Sequence, residues 1–146
     1  MIIKDVSHVT LLLDILEESD FYVRYGTIQF LTTLLGNRSD QLQSAILTSP
    51  VGVSRLIDLI EDEREIIRNE GLLLLISLTQ KNADIQKIIA FENAFEKVLD
   101  IIMEEGATEG DIIVQDCLQL CHNLLRYNVS NQVKKKEGIP HPNTKL

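Results

Sequence analysis

Three side chains stand close enough in sequence to do chemistry together: Cys117, Cys121 and His122. Two thiols and an imidazole could ligate a metal, or pair a nucleophile with a base. A zinc site wants about four ligands, commonly with Cys-x2-Cys spacing. The two cysteines here are instead i and i+4 on one helix face, at positions where neighbouring segments carry core residues. Packing as small hydrophobes is the role expected of them. Adjacent helical residues point apart, so Cys121 and His122 do not form a nucleophile–base pair. The acidic pairs Glu17-Glu18, Glu61–Glu65 and Glu104-Glu105 fall at predicted helix ends and loops. Solvated surface is expected there rather than a paired general acid and base. No Gly-rich phosphate loop, G-x-S-x-G or Walker pattern occurs. The expectation is a non-catalytic chain with no cofactor and no metal.

The elements that position these residues repeat. Asp62–Asn82 reads as one long buried helix, with Asp62 as its cap and Glu65 at the capping-box position. Gly71, Leu72, Leu74, Leu75 and Leu78 share an inward face, and Asn82 supplies a left-handed stop. Leu73 and Ile76 lie off that face, so the helix is apolar nearly all round. Asp20–Asn37 places Thr27, Ile28, Phe30, Leu31 and Leu34 at the same inward positions. Asp111–Asn128 places Cys117, Leu118, Leu120, Cys121 and Leu124 there, and each copy opens on an Asp in the capping place (Asp20, Asp62, Asp111) and closes on an Asn or Gly-Asn stop (Gly36-Asn37, Asn82, Asn128). The copies are roughly 44–46 residues apart, within the armadillo and HEAT range.

Shorter helices are expected between these copies. Val6–Glu18 comes first, capped by Ser7, with Val9, Leu12, Leu13 and Leu16 inward. Ser39–Leu47 follows, with Leu42, Ala45 and Ile46 inward, and ends at Ser49-Pro50. Val53–Ile60 carries Val53, Leu56, Ile57 and Ile60 at i, i+3, i+4, i+7 spacing. Ala83–Glu92 and Ala94–Glu104 repeat the short–medium pair, with RLIDLI at Arg55–Ile60 answered by KVLDII at Lys97–Ile102. Glu104–Gly110 is read as a flexible acidic loop. The fold expected is all-α, an armadillo-like solenoid of three-helix repeats, about two full repeats plus flanking pieces. Leu16, Ile15 and the Leu120–Leu125 region are expected as sticky ends, and the chain as a fragment or truncated product of something longer. Residues 1–132 make the repeats. Residues 133–146, with the Lys134–Lys136 triplet and two prolines, read as a disordered tail.

Composition narrows the function classes. The chain has 146 residues, 45% of them apolar, no Trp, and a net charge of −8. That charge argues against sequence-independent nucleic-acid binding, which rests on Lys and Arg at phosphates. The N-terminal stretch lacks a signal-peptide pattern, so the expected compartment is the cytoplasm, with reduced cysteines. The Asn37 and Asn128 sequons are then expected to be unglycosylated.

The groove face of the long helices is the candidate binding surface. Arg24 and Arg68 occupy equivalent places near the starts of two long helices. With Gln29, Thr33, Leu73, Ser77, Gln119 and Asn123 they form the expected partner-facing stripe. Armadillo proteins that carry nuclear cargo place a Trp and, four residues on, an Asn along this helix. The corresponding pairs here are Gln29/Thr33, Leu73/Ser77 and Gln119/Asn123, of which only Asn123 fits. A generic armadillo scaffold or adaptor, including a cargo-peptide-binding protein, is the alternative reading.

The segments Gly52–Ile60, Arg64–Thr79, Ile85–Ile102, Glu104–Gly106 and Asp116–Gln132 together resemble the armadillo-like globular head of the general vesicular transport factor family. The resemblance runs from about Val9 to Gln132, and IRNEG and IQKIIAFENAFEK carry it most specifically. It implies part of the head of a tether of ER-to-Golgi and intra-Golgi transport. Such a protein is cytoplasmic, and peripheral on Golgi and transport-vesicle membranes. The resemblance also implies an early-secretory Rab GTPase, SNAREs or other tether components as partners, and a homodimer. The family's coiled coil and acidic tail are missing here, and residues 133–146 depart from the family pattern.

Overall fold

The computed structural model describes residues 6–106 and 112–126. The expected tail, the Asp111 cap, the Asn128 stop and the far end of the Glu104–Gly110 loop lie outside the described residues. Seven α-helices are described: α1 (Val6–Ile15), α2 (Phe21–Leu47), α3 (Pro50–Asp58), α4 (Glu65–Thr79), α5 (Ala83–Phe91), α6 (Ala94–Glu104) and α7 (Ile112–Leu125). A 3-10 turn, Leu59–Glu61, extends α3. No strand occurs among the described residues.

The three-helix unit is visible twice. The first part of α2 is a long helix. Arg38, with φ −139° and ψ 51°, interrupts it and turns the remainder into the short helix. Pro50 then opens α3, where its missing N–H has no helical partner to lose. The order repeats as α4, α5, α6, and α7 begins it a third time. Asn93 takes a left-handed conformation, φ 65°, at the corner between α5 and α6.

α4 is the centre of the molecule, packed against α2 on one side and α7 on the other. Its predicted inward face, Gly71, Leu72, Leu74, Leu75 and Leu78, is wholly buried. Gly71 has a steric reason. A Cβ there would stand 2.7 Å from the Cβ of Leu59 in the 3-10 turn. Gly71→Ala is therefore expected to destabilise by about 1–2 kcal/mol, overpacking outweighing the roughly 1 kcal/mol that alanine gains in helix propensity. A urea titration checks the sign.

Several local expectations are corrected. Asp62 does not cap α4; the helix starts at Glu65, and the residue before it is Arg64. Asn82 does not end α4 in a left-handed turn. Its φ is −118°, and its side chain caps α5 by accepting from the Ile85 N–H at 3.0 Å. Ser7 lies inside α1 rather than before it. Asp20 does cap α2, accepting from the Val23 N–H at 3.1 Å. α4 is less buried than its composition suggested, since Leu73 is 43% exposed. Leu16, Leu120 and Leu124 are buried, so they are not sticky ends; the apolar residues left bare on α1, α2 and α7 include Leu11, Phe30 and Leu118.

Candidate functional site

Two ion-pair patterns recur with the repeat and fix how the groove face is presented. Arg24 of α2 donates from Nη1 to Asp62 Oδ2 at 2.8 Å. Arg68 of α4, 44 residues on, donates from Nη2 to Glu105 Oε1 at 2.9 Å. In each case an arginine on a long helix grips a carboxylate just past the next medium helix. The second pattern joins medium helices. Arg55 of α3 bonds to Asp14 and, at 3.0 Å, to Glu17. Lys97 of α6 meets Asp58 at 3.4 Å and Glu61 at 3.2 Å. The sequence match of RLIDLI with KVLDII carried this signal, because the cation opens both strings. Glu17 and Glu61 are exposed, as expected, and are cross-repeat partners as well; Glu105 is a third such partner and is half-buried.

The first pattern has an elaborate form at Asp62. Its side chain is 4% exposed and receives three hydrogen bonds from Arg64: the backbone N–H and Nε to Oδ1, and Nη2 to Oδ2, each at 2.9 Å. With Arg24 added, these bonds hold the Asp62 carboxyl well below the usual carboxylate range, the Arg64 bonds first among the causes. The two arginines also close the end of α1. Arg24 donates to the carbonyls of Glu18 and Glu17, and Arg64 to that of Ser19 at 2.9 Å. Arg64 lies over the Phe21 ring, 5.8 Å from its centroid.

The predicted partner-facing stripe divides in two. Arg24 and Arg68 are mostly buried in the pairs above. Asn123 is buried too. Its Nδ2 donates to the Ile76 carbonyl at 3.0 Å and to Thr79 Oγ1 at 3.2 Å, while its Oδ1 accepts from Gln119 at 2.9 Å. Thr79 in turn accepts, at its carbonyl, from Gln86 at 2.7 Å. This satisfied polar chain ties α7, α4 and α5 together in one register. The other members face outward: Thr33, Leu73, Ser77 and Gln119 are exposed, and half-buried Gln29 donates to Glu70 at 3.3 Å.

A row that the sequence reading missed lies beside them. Tyr22, Ile66 and Ile112 hold equivalent places on the first turns of the three long helices, 44 and 46 residues apart, and all three are exposed. The available signal was a large apolar residue off the inward face in every copy.

The chemistry-bearing cluster does not assemble. Cys117 is buried, Cys121 half-buried and His122 exposed. Burial pushes the Cys117 thiol up to about 12, the opposite of what a nucleophile or metal ligand needs. No group of three or more His, Cys, Asp or Glu side chains suited to a metal occurs among the described residues. No described helix is long and apolar enough to cross a membrane.

Fold and surface together define a class: an armadillo-like helical solenoid that presents long-helix faces. No protein-family profile matches the chain. The bovine "General vesicular transport factor p115" is 58% identical over 136 residues, which is 93% of this chain and 14% of that protein. "Golgin candidate 6" of Arabidopsis thaliana is 57% identical over 116 residues, 80% of this chain and 13% of that protein. The crystal structure named Uso1-2 superposes with a TM-score of 0.89 at 36% identity, over 94% of this chain and 20% of that one. The chain belongs to the general vesicular transport factor family, and it spans about one seventh of the length of the bovine relative. The relatives are named as transport factors, not enzymes.

Proposed function

We propose that this chain is a non-catalytic protein-binding piece of a Golgi vesicle tether, acting in ER-to-Golgi and intra-Golgi transport. It works in the cytoplasm, at the periphery of Golgi and transport-vesicle membranes. Its partners are an early-secretory Rab GTPase and SNARE or other tether components, with a second copy of the chain as a further candidate partner. The observation that carries this reading is the 58% identity to a vesicular transport factor across 93% of the chain. The outward part of the stripe, Gln29, Thr33, Leu73, Ser77 and Gln119, supports protein binding through the long-helix face. Arg24 and Arg68 serve that face from beneath by tying a long helix to the end of the next medium helix, and Asn123 by tying α7 to α4.

The test is capture of an early-secretory Rab GTPase by the purified chain, with the GTPase loaded with a GTP analogue or with GDP. Selective capture of the GTP form is expected, falling several-fold in Thr33→Glu and Ser77→Glu. These variants alter exposed side chains, whereas charge reversal at Arg24 or Arg68 would break the repeat contacts themselves. No capture by a chain that is helical by circular dichroism would exclude the Rab part of the reading.

A further inference from the structure

A cleft of about 310 Å3 opens between α4 and α7, and its walls combine two chemistries. Leu73 and Ile112 supply exposed apolar surface. Glu65, Arg68, Glu105 and Asp116 supply charge. Arg68 and Glu105 neutralise each other across 2.9 Å, which leaves Glu65 and Asp116 as the uncompensated charges of the cleft. Asp116 is half-buried, and burial pushes its carboxyl up from the ordinary value, the mark of a carboxylate short of solvent. Neither it nor Glu65 has a cationic partner among the described residues. Ile112 is also the α7 member of the exposed set Tyr22, Ile66, Ile112 at equivalent places on the three long helices.

We propose that the α4–α7 cleft is a docking site for a basic amphipathic segment of a protein partner. An apolar side chain of that segment seats between Leu73 and Ile112, and a Lys or Arg beside it reaches Glu65 and Asp116. Charge complementarity chooses this occupant. An acidic segment would meet two unpaired carboxylates, and a purely apolar one would leave them without a counter-charge. The proposal rests on the protein-binding reading above and gives that reading a site and a partner chemistry.

The test uses a labelled leucine–lysine amphipathic peptide and its leucine–glutamate counterpart, read by fluorescence anisotropy against the whole chain. Binding of the lysine peptide alone is expected. The double variant Leu73→Ser/Ile112→Ser should weaken it about tenfold, and Glu65→Gln/Asp116→Gln about fivefold with a shallower salt dependence. Asp40→Asn/Glu96→Gln removes the same charge from exposed sites elsewhere and should change little. Equal weakening by that control pair, or no loss in the serine double variant, would overturn the site. So would binding that appears only after residues 133–146 are removed, because the cleft would then belong to this chain's own Lys134–Lys136 segment. A dimer dissolved by Leu73→Ser in sedimentation would assign the cleft to a second copy and likewise overturn the proposal. Failure of the cleft leaves Rab capture to stand or fall by itself.

Discussion

Replacing Asp62 with alanine is expected to lower the unfolding free energy by about 3–5 kcal/mol, the range for removing one partner of a buried, hydrogen-bonded ion pair. The site justifies the upper class of effect. The Asp62 side chain is 4% exposed and compensates two guanidinium groups at once. Its loss leaves Arg24 mostly buried without its carboxylate and frees Arg64 from the geometry that bonds it to Ser19. The consequence reaches beyond one contact, since these arginines close the end of α1 against the start of α4. Asp14→Asn is the contrasting variant. It also loses an inter-repeat salt bridge, but that carboxylate is exposed, and less than about 1 kcal/mol is expected. Denaturant titration of both variants against the parent chain measures the difference.

The Asp62 contribution has a definite pH window. The carboxyl is held below its ordinary value of 3.8, so folding favours its charged form. Above about pH 5 the group is ionised in folded and unfolded chains alike, and its contribution is complete. As pH falls below that value the unfolded chain takes up the proton first, and the contribution declines until the folded-state carboxyl is protonated too. The stability gap between the parent chain and Asp62→Ala should therefore be constant from pH 7 to about pH 5 and narrow below pH 4. A gap that widened on acidification would contradict the burial of an ionised Asp62.

Asp20 and Asp62 show how far a sequence can be read here. Both are aspartates just ahead of a long helix, and both were expected to cap it. Asp20 does so. Asp62 instead follows a 3-10 turn and has Arg64 two residues on and Arg24 across the repeat, so charge-assisted bonds replace the cap. Asn82 divides along the same line. Its side chain suits a helix end or a helix start, and the backbone N–H of Ile85 decides for the start. The inward face of α4 was legible because period 3.6 follows from the helix alone, whereas Phe30 of α2 and Leu118 of α7, expected at the same inward positions, are exposed. The cross-repeat pairs were not, because Arg68 and Glu105 are distant in sequence and meet only once the repeats stack.

Stacking also sets the second large effect. Leu72 and Leu118 hold equivalent positions on α4 and α7, yet Leu72 is fully buried and Leu118 is 56% exposed. Leu74 and Phe30 form the mirror case, at 1% and 42% exposure. One flank of a long helix packs toward the repeat before it and the other toward the repeat after it. α2 leaves its leading flank bare, α7 its trailing flank, and only α4 has both covered among the described residues. Leu72→Ala is accordingly expected to cost about 3–4 kcal/mol, the transfer energy of the lost side chain plus a cavity between rigid helices. Leu118→Ala, the same chemical change at the same repeat position, should cost less than about 1 kcal/mol, because no cavity forms and little area leaves water. Chemical denaturation of the two variants separates burial by a neighbour from intrinsic helix preference, which is identical for the two substitutions. Equal costs would mean that Leu118 is already covered in solution, which would place a second surface of protein against α7.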